Sequence, residues 1–313
     1  MTVDLTTSVG SVALANPLMT AAGTAGTGDE LAAYLDASRL GAMVVKSVSA
    51  EPWAGNPAPR AHATDAGMIN AVGLQNPGVE AWLADDLPGL LDRGVTVVAS
   101  IWGFTVDDYA TAAGALAGVD GIVAVEVNVS CPNIEDRRRM FAHHPDAARE
   151  VIEATAASGL PRWAKLSPNV TDLGPIVDAV VAGGAEAVTL INTVMGMVID
   201  TERRRPVLGA GGGGLSGPAI RPVAVRAIHD TVAEHPDLPV VGVGGVAKAE
   251  HAVELLMAGA RAVQVGTATF ADPDAPTTVL DDLVSWCERH GVRSIHEVIG
   301  AVHRPVHDDR EEA

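Results

Sequence analysis

The stretch PVVGVGGVAKAEHAVELLMAGARAVQVGTATF, residues 239–270, holds a strand, a helix and a second strand in immediate succession. Val240–Val243 and Ala262–Val265 are short, continuously apolar runs. Such runs mark strands covered on both faces, as in a parallel sheet. Between them Ala249–Met257 carries a helical pattern, and glycines follow each strand where the chain must turn. The alternation recurs outward toward the N-terminus. Apolar runs lie at Pro17–Ala22, Ala42–Ser47, Thr96–Ile101, Val123–Val129, Arg162–Leu166 and Ala187–Ile191. Helical patterns lie at Asp29–Ser38, Val79–Leu91, Asp107–Leu116, Pro145–Ala156, Leu173–Val181, Ala219–Ala233 and Pro273–Arg289. Eight strand–helix units in this order predict an α/β fold of the (β/α)8 TIM-barrel type. A doubly wound open sheet is the alternative, and the strand count favours the barrel.

The chain of 313 residues reads as a single domain, residues 1–313, with the acidic end at about 305–313 expected to be a disordered tail. Its 48% hydrophobic and 19% charged residues are a globular composition. A net charge of −18 argues against nucleic acid as the main partner and against docking on an anionic membrane. No apolar run is long enough to span a bilayer, and no signal peptide is visible, so a cytoplasmic setting is expected. Two cysteines, Cys131 and Cys287, build no disulfide framework and no metal pair.

Polar residues follow the apolar strands: Lys46-Ser47, Asn128 with Cys131, Lys165, Asn192-Thr193, Gly244-Gly245 and Gly266-Thr267. Taken singly, a lysine at a strand end is a surface ion pair and an asparagine a turn former. In a barrel these ends converge, and convergent polar groups above apolar strands point to a polar ligand. The glycine loops after the last two strands stand where barrels often bind phosphate, with Gly217 of GLSG adding to them. Long connections at residues 48–78 and 192–217, and a charged one at 130–144, fall over the same face. Cys131, on a polar loop after a strand, is the sharpest candidate for chemistry as nucleophile or base. Cys287, in a helical pattern, is expected to pack.

The motifs AAGTAG (21–26), VKSVS (45–49), GNPAPR (55–60), NAVGLQNPG (70–78), EVNVSCPN (126–133), AKLSPN (164–169), INT (191–193), GGLSG (213–217), VGVGGV (241–246) and VGTA (265–268) occur in this order. Together they resemble the class 1 dihydroorotate dehydrogenases, and most closely class 1B. The resemblance implies an FMN-containing barrel of pyrimidine biosynthesis that oxidises dihydroorotate to orotate. It implies that Cys131 removes the C5 proton while a hydride passes from C6 to FMN, and it places Lys46 beside Cys131 as catalytic. Lys46, Asn70, Asn128, Asn192 and Thr193 would hold the substrate, with Ala71, Val72, Gly73 and Leu74 in its wall. Ala22, Lys46, Ser47, Ser100, Asn128, Lys165, Ile191, Gly217, Gly244, Gly245, Gly266 and Thr267 would hold FMN, with Lys165 facing the ring. The class implies an electron-transfer partner subunit carrying FAD and a [2Fe–2S] cluster and passing electrons to NAD. It implies a homodimer or heterotetramer, and neither nucleic acid nor membrane as partner.

Three departures stand out. Many relatives have Ser where this chain has Ala22, and Asn where it has Ser100. The loop after SCPN reads IEDRRRMFAHH (134–144), where Arg137–Arg139 would act as an anion-steering lid. A dihydropyrimidine dehydrogenase-like subunit and a non-catalytic flavin electron relay are the competing functions. The first shares the NxSCP loop and is separated by the carboxylate of dihydroorotate, which needs Lys46 and the neighbouring amides; the presence of Cys131, Lys46 and all three Asn argues against the second.

Overall fold

The computed structural model describes residues 3–28, 30–130 and 141–304, with the backbone alone at 132, 133, 139 and 140. Cys131, Arg137, Arg138 and the acidic tail therefore lie outside the described residues. Arg139 is seen only as backbone, paired antiparallel with Asn133.

Eight parallel strands form one sheet: β1 (Leu18–Thr20), β2 (Met43–Val44), β3 (Val97–Ile101), β4 (Ile122–Asn128), β5 (Arg162–Lys165), β6 (Ala187–Leu190), β7 (Val240–Val243) and β8 (Ala262–Val265). The spatial order runs β1–β8–β7–β6–β5–β4–β3–β2. The barrel closes between β1 and β2, where Met19 bridges Ala42. There the Thr20 hydroxyl donates to Val44 O at 3.1 Å and accepts from Val44 N–H at 3.0 Å.

Strand alternation sorts the barrel interior into layers. The lowest layer is apolar: Met19, Val44, Val98, Ala124, Trp163, Ala187, Val241 and Ala262 pack as one cluster. The antiparallel hairpin Thr7–Val9/Val12–Leu14 plugs it from below and adds Val9, Val12 and Leu14. Glu186 fixes the hairpin tip by accepting from both the N–H and the hydroxyl of Ser11. The strands' outer faces pack against the surrounding helices in a second and larger cluster.

Two helical expectations need correction. No α-helix forms among the described residues of 29–38; the chain there makes turns and a 3-10 segment at Ala37–Arg39. Local side-chain bonds compete with helix formation. Glu30 accepts from Gly28 N–H and Thr27 N–H, and Asp36 accepts from the N–H and hydroxyl of Ser38. The helical stretch from Val79 to Asp92 is broken by a π-turn at Trp82–Asp86. Pro88 follows, and it can neither donate to the ladder nor tolerate the regular carbonyl of Ala84.

The long connections after β2 and β6 are not irregular. They combine into a four-stranded antiparallel sheet over the C-terminal mouth, in the order Val194–Gly196, Gly213–Ser216, Gly67–Asn70 and Ala61–Thr64.

Candidate active site

A cavity of about 650 Å³ opens at the C-terminal end of the barrel beneath this small sheet, a size that suits a cofactor or ligand site. From the barrel come Ala22, Lys46, Ser47, Asn128, Lys165, Ile191, Asn192 and Thr193. The outer sheet supplies Asn70, Ala71, Val72, Gly73 and Leu74, and Gly217, Gly244, Gly245, Gly266 and Thr267 close the far end. Residues spread over most of the chain thus face one space. Among the described residues, one of those expected does not line it. Ser100 is fully buried behind the wall, its hydroxyl 2.8 Å from that of Ser47, so it meets the cavity only through Ser47. Cys131 lies outside the described residues, but its neighbour Ser130 lines the cavity with a buried hydroxyl that has no hydrogen-bond partner among the described residues.

The amides are held in place. Asn192 donates to Asn128 Oδ1 at 3.1 Å, and Ser130 N–H donates to the same oxygen at 3.2 Å. Asn192 Oδ1 in turn accepts from Thr193 N–H at 2.8 Å. Tyr109 anchors the end of β4 by donating its hydroxyl to Asn128 O at 2.7 Å. Asn169, which the sequence reading passed over, donates to Thr193 O at 2.9 Å and accepts from Met195 N–H at 2.8 Å. It fixes the loop that carries Thr193.

The wall at 70–74 is braced from outside. Trp53 Nε1 donates to Gly73 O at 2.9 Å, and Asn56 Nδ2 donates to Ala71 O at 3.1 Å. Arg60 donates to Gln75 Oε1 and, over 3.0 Å, to Ala54 O. Leu74 takes a left-handed φ of 62°, rare for a bulky side chain, so neighbours must hold this turn.

At the far end the glycines are a steric requirement. Gly217 has φ +93°, and a Cβ there would lie 2.7 Å from Gly67 Cα. Gly245 has φ +73°, and a Cβ would lie 2.8 Å from Arg221 Cβ and 2.9 Å from Gly217 O. Backbone here approaches backbone and leaves room for a ligand to approach the peptide groups closely.

Under the cavity floor lies a buried polar layer that the sequence reading missed. Glu126, Thr189 and Gln264 are fully buried and Lys165 is 6% exposed. Lys165 Nζ stands 3.2 Å from Glu126 Oε1. Glu126 Oε2 accepts from Thr189 Oγ1 at 3.1 Å and from Gln264 Nε2 at 2.7 Å. A charge inside the apolar run VAVEVNV was the available signal, because a buried carboxylate demands partners. At the other cysteine, Cys287, burial and then the Glu297 carboxylate push the thiol up, so it is a packed side chain and no nucleophile.

No cluster of metal-binding side chains and no helix long and apolar enough to cross a membrane occurs among the described residues.

Comparison with known proteins agrees with this geometry. The family model "Dihydroorotate dehydrogenase" matches residues 4–286. The chain is 51% identical over 305 residues to the "Dihydroorotate dehydrogenase B (NAD(+)), catalytic subunit" of Desulforudis audaxviator (strain MP104C), covering 97% of this chain and 99% of that protein. Proteins of the same name from Geotalea uraniireducens (strain Rf4) and Alkaliphilus oremlandii (strain OhILAs) are each 44% identical. They align over 300 and 293 residues, covering 96% and 93% of this chain and 98% and 96% of those proteins.

Proposed function

This chain belongs to the dihydroorotate dehydrogenase family, and from that membership we propose that it is the catalytic subunit of a class 1B enzyme oxidising dihydroorotate to orotate in pyrimidine biosynthesis. The observation that carries the reading is the cavity at the C-terminal mouth of the barrel. It joins a set of oriented amides and a lysine at one end to a glycine cradle at the other.

FMN fits this cavity. The glycine end, where added Cβ atoms would collide with backbone, suits a phosphate held by peptide N–H groups. The floor offers Lys165 and Ser47 to a ring. When bound, FMN supplies the two-electron oxidation by accepting the hydride from C6 of the substrate. Ala22 and Ile191 line the same cavity and would help to hold it.

The chain's own residues do the rest. Asn70, Asn128, Asn192 and Thr193 hold the pyrimidine amide edges, and Lys46 holds the substrate carboxylate and orients the C5 proton. Asn70, Asn128 and Asn192 are each held by a neighbouring group, so less ordering remains to be done on binding. The 70–74 wall keeps water from the reacting carbons. Cys131 follows Ser130 in the chain and takes the C5 proton as general base. Asn128 lines the cavity and would contact both substrate and flavin.

The names of the relatives specify NAD(+) and a catalytic subunit, which supports a partner that relays electrons to NAD; the class 1B resemblance adds FAD and a [2Fe–2S] cluster to that relay. This chain has two cysteines, and such a cluster needs four ligands, so it resides on the partner. A homodimer of this chain, or a heterotetramer with two partner subunits, follows from the same class. The reading is tested by mass spectrometry of the released cofactor and by assaying orotate formation with NAD, with and without the partner subunit. FMN and partner-dependent NAD reduction are expected; a different cofactor, or no orotate with any acceptor, contradicts it.

A further inference from the structure

Lys165 is presented to the cavity by a support that no part of the proposed reaction uses. Its ammonium stands 3.2 Å from Glu126 Oε1 and 3.5 Å from Gln264 Oε1, both below the cavity floor. An ammonium has three N–H donors. Two are thereby engaged from beneath, and Lys165 itself lines the cavity above. Glu126 is fixed in turn, since its second oxygen accepts from Thr189 and from Gln264. Gln264 closes the ring by donating through Nε2 to Glu126 and accepting through Oε1 from Lys165, which sets the orientation of its amide. The four side chains come from β4, β5, β6 and β8, at the inward-facing position just above the apolar layer. A barrel needing only a filled interior would continue that apolar layer, because a buried ion pair is no more stable than well-packed hydrocarbon of the same volume.

We propose that Glu126 is a positioning residue for flavin chemistry: held by Thr189 and Gln264, its carboxylate holds the Lys165 ammonium at one point of the cavity floor. The inference rests on the flavin reading above. Glu126 touches neither cofactor nor substrate and acts only through Lys165. A shorter carboxylate at this position keeps the charge and loses the reach.

The test is a double-mutant cycle on the full-length protein loaded with FMN, comparing wild type, Lys165→Met, Glu126→Asp and the double variant. Two quantities are measured: the dissociation constant of FMN, from flavin fluorescence, and that of sulfite, from bleaching of the flavin band. Sulfite adds reversibly to the oxidised flavin ring and leaves negative charge on it, so its affinity reports an ammonium held close by. Lys165→Met and Glu126→Asp are each expected to weaken sulfite binding roughly tenfold or more. The double variant is expected to fall no further than Lys165→Met, because residues acting as one unit are not additive. Thermal stability supplies a readout independent of flavin. Lys165→Met leaves a buried carboxylate without its ammonium and lowers Tm, and adding Glu126→Gln recovers part of the loss. If Glu126→Asp does not fold, Thr189→Val and Gln264→Met carry the test, each removing one donor to the carboxylate at constant charge and giving a smaller loss of the same kind.

A wild type that binds FMN, with sulfite affinity unchanged in Glu126→Asp or with losses that multiply in the double variant, overturns this inference alone. A wild-type chain that takes up no FMN overturns the flavin reading and this inference with it.

Discussion

Asn192 donates its side-chain N–H to Asn128 Oδ1 across 3.1 Å, joining the end of β6 to the end of β4 over the top of β5. The same Asn128 oxygen accepts from Ser130 N–H, one residue before Cys131. One amide pair therefore sets both the proposed substrate edge and the start of the loop that carries the proposed base. Asn192→Ala is expected to raise KM for dihydroorotate roughly 10–100-fold, the loss of one or two oriented hydrogen bonds in a buried site. FMN content should stay near wild type. Steady-state kinetics alongside the flavin absorbance ratio checks both, and an unchanged KM would count against Asn192 as a substrate ligand.

Cys131→Ala is expected to bind FMN normally and to slow its anaerobic reduction by dihydroorotate about 10²–10⁴-fold, the usual contribution of a general base. Cys131→Ser should retain part of the rate, rising with pH, because a hydroxyl is the poorer base near neutrality. Stopped-flow traces at 450 nm across a pH series separate the two variants, and a Cys131→Ala enzyme reduced at the wild-type rate excludes the thiol as base.

Gly245→Ala should lose FMN. At φ +73° an alanine is strained, and its methyl would meet Arg221 Cβ at 2.8 Å and Gly217 O at 2.9 Å. The loop must shift, and with it the proposed phosphate cradle. A fall in FMN affinity of about tenfold or more, with far-UV circular dichroism preserved, is the expected result. Retention of FMN at wild-type affinity would place the phosphate elsewhere.

The barrel was legible because buried parallel strands advertise themselves as continuous apolar runs such as Val240–Val243. The cavity residues were legible for a related reason: Lys46 and Asn128 stand at the end of such a run and Asn192 and Thr267 just after one, and the barrel brings those ends together. What stayed hidden depends on alternation within a strand. Glu126, Thr189 and Gln264 point inward two residues above Ala124, Ala187 and Ala262, a placement visible only once the registers are known. Ser100, expected at the flavin, sits one hydroxyl behind the cavity wall for the same reason. The outer four-stranded sheet was hidden in stretches taken for loops, since its two halves join by one pairing across more than a hundred residues of sequence. The segment Asp29–Ser38 misled because its apolar spacing is helical while its Glu30 and Asp36 bond to nearby backbone.

Acid should weaken the support of the loop that follows β4. His143 ends the 3-10 turn Phe141–His143, and its Nε2 is buried with no hydrogen-bond partner among the described residues. Burial, and secondarily the neighbouring His144, hold its pKa below the ordinary 6.5. The folded state therefore binds this proton less readily than the unfolded one. The associated stability is complete above about pH 6.5 and declines as pH falls below it toward the folded pKa. His143→Gln should flatten the dependence of Tm on pH between roughly 5 and 7 relative to wild type. Parallel Tm–pH curves for the two proteins would show that His143 contributes nothing there.

In the proposed function one cavity binds both flavin and dihydroorotate, and two electrons pass between them. The most direct measurement is the visible spectrum of the FMN-loaded chain under anaerobic conditions, before and after dihydroorotate, with no partner subunit present. Bleaching of the flavin band with stoichiometric release of orotate is predicted. A bound flavin that stays oxidised in the presence of saturating dihydroorotate would contradict it.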